Sequence, residues 1–257
     1  MTRKGLLLSV TITMIAALCS CAPAAEVPVG PVPEGATEVS IPDPNLEEVL
    51  RTTLWKPEGA IYDTDLRRVS ALRGTESGIT DLTGLEYCTK LENIWLDGNE
   101  LTDLSPLAHL TNLQTIDLTG NMVSDVTPLA SLSALLHLRL GSNEVSDLSP
   151  LSSLTNLTSL YLDRNQVSDI SPLASLTKMR LLWLQVNQIE DISALAGLQG
   201  LNELRLNANN VSDISVLVEI SGFDNKGYIT LRENPLSETS LEVYIPQLKE
   251  IATYLSY

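Results

Sequence analysis

Seven aspartates recur at intervals of 22 residues, and they are the carboxylates whose spacing could do chemistry. They are Asp81, Asp103, Asp125, Asp147, Asp169, Asp191 and Asp213. Carboxylates stacked about 5 Å apart could bind a divalent cation, since hard cations take oxygen ligands. Each aspartate also lies just before a short segment with helix-start residues, where a carboxylate can accept backbone N–H bonds. We favour this capping role and therefore predict no metal and no cofactor.

The two histidines are the other residues that could take part in catalysis. His109 and His137 fall at different positions of the 22-residue period, which places one on the back of the fold and one on its face. The chain shows no glycine-rich phosphate loop, no metal-ligand spacing and no nucleophile elbow. A lone exposed histidine is more often solvated than catalytic. The sequence therefore predicts a protein that is not an enzyme.

Six asparagines share the same 22-residue interval, which is the signature of a solenoid. They are Asn99, Asn121, Asn143, Asn165, Asn187 and Asn209. One coil has the apolar positions Leu157, Leu160, Leu162, Val167, Ile170, Leu173 and Leu176. The alternation of Leu160 and Leu162 predicts a short strand, and the later three-residue spacing predicts a 3₁₀-like segment. The asparagine follows the strand, where a buried amide can bond the backbone of its own turn and of the neighbouring coil.

The repeat has the form Leu-x-x-Leu-x-Leu-x-x-Asn-x-Leu-x-x-Leu-x-x-Leu-x-x-Leu and resembles the leucine-rich repeat. Its length of 22 residues and its segment VSDISPLASLT are similar to the internalin-type bacterial subclass. The resemblance covers Ile41 to about Leu255. It implies an α/β solenoid, a right-handed superhelix with a parallel β-sheet on the concave face and 3₁₀ or irregular segments on the convex face. Pairs such as Ser105-Pro106 predict a hydroxyl cap at the start of each convex segment.

The period fails at both ends, where we predict helical caps because terminal coils otherwise expose a leucine face. Ser77 replaces the asparagine in a degenerate first coil, and Asp43-Pro44 starts a helix in the N-terminal cap, residues 41–68. The repeats occupy residues 69–234, with three extra residues between Gly222 and Gly227 and a last strand from Lys226 to Asn234. Residues 235–257 keep helical spacing, which predicts a helical C-terminal cap.

The N-terminus is typical of a secretory signal. Arg3 and Lys4 precede an uncharged run from Leu6 to Leu18, which is too short to span a membrane. The sequence Leu-Cys-Ser-Cys ending at Cys21 resembles the bacterial lipobox, which implies removal of residues 1–20 and a lipid, such as palmitate, on Cys21. A plain signal peptide cut near residues 22–25 is the alternative. With the lipid, residues 21–40 form a proline-rich tether, and the protein is secreted and anchored to the bacterial cell membrane at the cell surface.

Binding is expected on the outward positions of the strands, because the inward positions are committed to the core. The central exposed column reads Trp95, Asp117, Arg139, Tyr161, Trp183, Arg205 and Thr230, and the flanking columns include Ser159 and Tyr228. Trp, Tyr and Arg are the residue types that most often anchor interfaces. The candidate ligand-binding residues are Trp95, Asp97, Asp117, His137, Arg139, Tyr161, Asp163, Trp183 and Arg205. Packing of the aromatic rings across strands, without a ligand, is the alternative.

The charge balance narrows the classes of partner. The chain carries a net charge of −16, and loss of Arg3 and Lys4 with the signal makes it −18. Such acidity argues against nucleic acid and anionic lipid surfaces as partners. Three functions remain open: an anchored module for an unidentified protein partner or for adhesion, a binder of glycan or cell-envelope polymer, and a structural spacer in an envelope complex. The first is the leading prediction.

Overall fold

The folded unit contains one sheet of nine parallel strands that follow one another in chain order. The computed structural model describes residues 34–223 and 227–257. The strands are β1 (Ala71–Arg73), β2 (Asn93–Trp95), β3 (Thr115–Asp117), β4 (His137–Arg139), β5 (Ser159–Tyr161), β6 (Leu181–Trp183), β7 (Glu203–Arg205), β8 (Gly227–Thr230) and β9 (Ala252–Ser256). Each strand is short because one coil uses most of its residues to bring the chain back to the sheet. The predicted α/β solenoid is confirmed.

Short 3₁₀ segments form the side opposite to the sheet, as the three-residue spacing predicted. They are Leu85–Tyr87, Ser105–Leu107, Thr127–Leu129, Ser149–Ser153, Ser171–Ser175, Ser193–Gly197, Ser215–Glu219 and Ser221–Phe223. Leu160 from a strand and Leu173 from a 3₁₀ segment are both fully buried, as are their equivalents in the other coils. The core is therefore a continuous stack of leucine layers between the sheet and the convex segments.

The aspartates, and not the serine hydroxyls, cap the convex segments. The N–H of Ser105 donates to Asp103 Oδ1 over 2.8 Å, and the equivalent bond is present in all seven coils. The predicted hydroxyl cap is wrong because Ser105 is already the first residue of its 3₁₀ segment. Hydrogen bonds from the Ser or Thr that follows hold the pKa of Asp125, Asp147 and Asp191 below the usual range. Within residues 34–223 and 227–257, no group of three or more His, Cys, Asp or Glu is placed to hold a metal ion.

The asparagines join each coil to the one before it. Asn99 Oδ1 accepts hydrogen bonds from the N–H of Ser77 and of Ile79, over 3.1 and 2.9 Å. Its Nδ2 donates to the carbonyls of Gly74 and Leu96, over 2.7 and 2.8 Å. Both atoms thus satisfy backbone groups that the turns leave free. The degenerate first coil is completed by the asparagine of the second.

The N-terminal cap is helical, as predicted. Asp43 is the N-cap of helix α1 (Pro44–Leu54). Its carboxylate accepts hydrogen bonds from the N–H of Leu46 in the first turn of the helix and from the N–H of Thr80 in the first coil. Helix α2 (Asp63–Leu66) follows. Leu46 and Leu50 on α1 are fully buried, which covers the open end of the core. None of the helices within the described ranges is long and apolar enough to cross a bilayer.

The C-terminal cap differs from the helix predicted for residues 235–257. A π-helical turn (Ser240–Tyr244) leads into helix α3 (Ile245–Ile251), and the chain then extends as β9 beside β8. The last repeat strand is Gly227–Thr230, which is shorter than the predicted strand from Lys226 to Asn234. Pairing with β8 gives the residues after Ile251 a backbone partner that helical spacing did not reveal.

One turn position is strained in the middle coils. It is glycine in two coils, Gly98 and Gly120, both with a φ of +69°, and four coils place Ser142, Arg164, Val186 and Ala208 there at φ of 54° to 60°. A side chain branched at Cβ is the least compatible with this left-handed region. We expect Val186→Gly to raise the free energy of unfolding by about 1 kcal/mol, measured by urea denaturation. Gly120→Val is the matched reverse change and should lower it; equal midpoints for both variants and the parent would contradict strain at this turn.

Candidate binding surface

The strand register places the predicted central column on neighbouring strands of one face. Trp95, Asp117, Arg139, Tyr161, Trp183, Arg205 and Thr230 follow one another from β2 to β8. His137 lies on the same face at the start of β4 and is exposed. Asp97 and Asp163 lie two residues after the ends of β2 and β5 and are half-buried. Because the register between neighbouring strands is the same from β2 to β7, residues that are 22 positions apart in the chain lie side by side in the sheet.

An unbroken run of contacts crosses the last five strands of the sheet. The Tyr161 and Trp183 rings meet edge to face, with centroids 4.7 Å apart and an interplanar angle of 72°. The Arg205 guanidinium lies 3.7 Å from the centroid of Trp183 and 5.3 Å from that of Tyr228. Tyr228 in turn stacks on Tyr254 at 4.4 Å, nearly parallel. We call these five residues the aromatic–arginine run.

Glu203 fixes the geometry at the centre of this run. Its Oε1 accepts a hydrogen bond from Trp183 Nε1 over 2.9 Å and from Arg205 Nε over 2.9 Å, and forms an ion pair with the Arg205 guanidinium at 2.8 Å. Both side chains are thereby held in one orientation without a ligand. Preorganised side chains lose less conformational entropy on binding, which favours a tight interface.

Two members of the surface were missed by the sequence prediction. Tyr254 was assigned to a helix, so its place at the end of the run was not foreseen; the β-prone residues from Thr253 to Tyr257 were the signal that was available. Arg73 lies on β1, in the degenerate coil, and its guanidinium is 3.8 Å from the Trp95 ring centroid. Each of the two half-buried tryptophans of the face is thus covered on one side by an arginine from a neighbouring strand.

An ion pair between Asp117 on β3 and Arg139 on β4 lies in the middle of the face. Asp117 was predicted to point outward as a ligand-binding residue, but it is only 6% exposed. Its carboxylate accepts from Thr119 N–H and Oγ1, and Arg139 lies 3.1 Å away. Ser159 and Thr230 are likewise covered, because small side chains lie between larger ones on strands about 4.8 Å apart. Asp117 therefore supports Arg139, whose own side chain remains open to a ligand.

Asp163 occupies the flank of the aromatic–arginine run. Burial raises the pKa of its carboxyl above the usual value, against the opposing effect of Arg164 and Arg205. The neighbouring coil has Gly141 beside it, and a Cβ there would lie 2.8 Å from Asp163 Oδ1. The glycine therefore leaves room for the carboxyl group beside the run.

The face is electrically balanced, unlike the rest of the protein. Its strands and the residues just after them carry four arginines and four carboxylates, namely Arg73, Arg139, Arg205, Arg232, Asp97, Asp117, Asp163 and Glu203. The whole chain carries −16. The acidic excess therefore lies outside this face, and the ligand-facing surface combines aromatic rings with charges of both signs.

Comparison with known proteins identifies the repeat. Residues 89–131, 133–175 and 177–219 match the family model described as Leucine Rich repeats (2 copies). The chain belongs to the leucine-rich-repeat family. It is 30% identical to an internalin, InlF, of Listeria monocytogenes, with a TM-score of 0.78 over 84% of this chain and 62% of that one. Internalin C2 of the same species is 35% identical, with a TM-score of 0.75 over 84% of this chain and 94% of that one.

This chain therefore spans less than two thirds of the length of InlF. A more distant match is the leucine-rich-repeat ectodomain of the Arabidopsis thaliana receptor kinase GASSHO1/SCHENGEN3, in complex with CASPARIAN STRIP INTEGRITY FACTOR 2. It is 28% identical with a TM-score of 0.54, over 60% of this chain and 20% of that one. A comparison with curated proteins finds no match. Leucine-rich-repeat proteins generally mediate protein–protein interactions, and the internalin-like fold is typically a non-enzymatic binding scaffold.

Proposed function

We propose that this internalin-type protein captures a protein partner through the concave face, with the aromatic–arginine run as the main anchor. The observation that carries the proposal is the unbroken contact from Tyr161 through Trp183 and Arg205 to Tyr254, on five neighbouring strands. Trp, Tyr and Arg are the residue types that dominate binding energy at protein interfaces, and they do so when clustered. Glu203 holds the centre of the cluster ready for a partner.

The same contacts favour a protein over a glycan. Sugar rings bind by stacking on open aromatic faces. Trp95 and Trp183 each have a guanidinium over the ring, at 3.8 and 3.7 Å, and Tyr228 is stacked on Tyr254. A partner therefore meets ring edges and charged groups of both signs, which suits a mixed protein surface better than a carbohydrate chain. A pure spacer would have no need of a preorganised cluster.

Replacement of Trp183 by alanine tests this proposal. We expect Trp183→Ala to reduce capture of the partner from an envelope or culture extract by at least tenfold, since a central tryptophan contributes about 2 kcal/mol or more. The bound protein would be quantified by mass spectrometry after a pull-down with the immobilised chain. Circular dichroism would show that the variant is folded.

Trp55→Ala is the matched control, because Trp55 is 92% exposed but lies at the end of α1, outside the concave face. It should leave capture unchanged. Equal capture by the parent and the Trp183 variant would contradict the proposal. Retention of insoluble envelope polymer that depends on Trp183, without a captured protein, would favour the glycan function instead.

We also propose that the protein is exported and held at the bacterial cell membrane by lipid on Cys21, which lies outside the described residues. The support is the charged start, the apolar run and the Leu-x-Ser-Cys sequence. In bacteria expressing the full chain, labelled palmitate should enter the protein, and Cys21→Ser should abolish labelling. Cys19→Ser is the matched control and should keep the label; label that follows Cys19, or no label in the parent, would contradict the proposal.

A further inference from the structure

We propose that the outer edge of β1 binds an extended segment of a protein partner, which adds a tenth strand to the sheet. This site lies at the opposite end of the sheet from the aromatic–arginine run and does not depend on the function proposed for that run. Edge strands recognise peptides by this mode when their free backbone groups face an accessible groove.

The hydrogen-bond pattern of β1 shows which backbone groups are free. The carbonyl of Ser70 accepts from the N–H of Glu92, and the N–H of Gly74 donates to the carbonyl of Trp95. In a parallel ladder alternate residues face the same neighbour, so Ser70, Leu72 and Gly74 face β2. Ala71 and Arg73 therefore direct both of their backbone groups away from β2. Across residues 34–223 and 227–257, no group bonds to these four atoms.

A groove of about 570 Å³ runs along this edge, with α1 as its other wall. It is lined by Asn45, Glu48, Val49, Thr52, Thr53, Ala71, Arg73 and Ser77. Asn45 Nδ2 donates to the carbonyl of Gly78 over 2.8 Å, which links α1 to the first coil. A strand in the groove would gain hydrogen bonds from the edge and contacts from the helix.

The side chains of the groove define the chemistry of the occupant. Arg73 is exposed, stacks on Trp95 at 3.8 Å, and has no ion-pair partner among the described residues. A residue paired with Arg73 would point to the concave face, where a carboxylate would complement the guanidinium. The residues on either side would point the other way, toward Val49, where apolar side chains fit. The partner segment is therefore extended, with acidic and apolar residues in alternation.

The probe that follows is the peptide acetyl-Val-Glu-Val-Glu-Val-amide, tested on the full chain. We expect it to bind and to slow amide hydrogen exchange in fragments that cover Ala71 and Arg73 by at least tenfold at saturation. A form of the peptide methylated on every backbone nitrogen cannot donate hydrogen bonds from either of its edges and should not bind. Hydrogen exchange measured by mass spectrometry locates the site, and surface plasmon resonance gives the affinity.

Two variants separate edge pairing from other modes. Ala71→Pro removes an outward N–H while leaving the bonds to β2, and should weaken peptide binding about tenfold, whereas Ala71→Val keeps the N–H and should not. Arg73→Glu should weaken binding of the Val-Glu peptide and create binding of the matching Val-Lys peptide. If the Ala71→Pro variant fails to fold, this exchange of charge still tests whether the peptide binds beside Arg73.

Trp183→Ala should leave binding of the peptide unchanged, so that failure here and failure of the concave-face proposal can be told apart. Three results would overturn the inference: no binding at millimolar peptide, equal binding of the methylated form, or protection on β6 to β8 instead of β1. The inference would also be overturned if the chain associates with itself and Ala71→Pro abolishes that association, because a second copy of the chain would then occupy the edge.

Discussion

Asn143→Ala is expected to lower the free energy of unfolding by about 3 to 5 kcal/mol. The Oδ1 of Asn143 accepts from the N–H of Val123 over 2.9 Å. Its Nδ2 donates to the carbonyls of Leu118, Leu140 and Gly141, over 2.9, 3.1 and 3.2 Å. Alanine would leave the buried N–H of Val123 without a partner, which costs about 1–3 kcal/mol. It would also remove one of the two hydrogen bonds that each of the three carbonyls accepts, at about 0.5–1.5 kcal/mol for each bond, although Asn121, Asn165 and Gly120 still donate to them.

Guanidinium denaturation followed by circular dichroism would measure the loss. Asn112→Ala is the matched control, because Asn112 is exposed and makes a single bond to the carbonyl of Thr89. It should cost less than about 1 kcal/mol. Asn143→Asp keeps the shape but removes the donors, and should be about as harmful as alanine. Similar midpoints for the Asn143 and Asn112 variants would show that the buried amides do not hold the coils together.

Gly222→Ala is expected to be the other severe substitution, with a loss of about 3 kcal/mol or failure to fold. A Cβ at Gly222 would lie 2.2 Å from the carbonyl oxygen of Leu201, 2.8 Å from its nitrogen and 2.9 Å from the carbonyl oxygen of Gln199. All three atoms belong to the backbone, so no side chain can rotate away. The coil before would have to move.

Gly200→Ala provides the comparison at the equivalent position one coil earlier. A Cβ there would come no closer than 3.5 Å to any neighbour, the carbonyl oxygen of Met179. Its midpoint in thermal unfolding should stay within about 4 °C of the parent, while that of Gly222→Ala should fall well below it. A tolerated Gly222→Ala would mean that the chain packs less closely at this coil than the structure shows.

The repeat architecture was predictable because every coil solves the same packing problem with the same residues. Leu160, Leu162 and Asn165 have equivalents in each of the six coils that contain Asn99 to Asn209, so strand position, core direction and register follow from one count. The central column from Trp95 to Arg205 followed from that count as well. Its use as a binding surface stays a prediction. The cap at Asp43 was predictable because it depends on residues within one turn of helix.

Other features depended on contacts between residues far apart in the chain. The strand β9 forms because β8 offers a backbone partner, and helical spacing after Pro235 concealed it. The burial of Asp117 depends on Arg139 and Thr119 closing over its carboxylate. The choice of Asp103 over Ser105 as a cap depends on where the 3₁₀ segment begins, a difference of one residue that sequence patterns do not resolve.

The aspartates and asparagines that recur every 22 residues show both sides of this division. By itself the sequence determined that they are structural residues of a solenoid and that an aromatic column crosses its face, because period and alternation are local properties of a chain. The tertiary structure alone decided that Arg205 lies on Trp183, that Tyr254 extends the run and that the edge of β1 faces a groove. Those features arise from side-chain orientations and strand neighbours, which exist only once the coils are stacked.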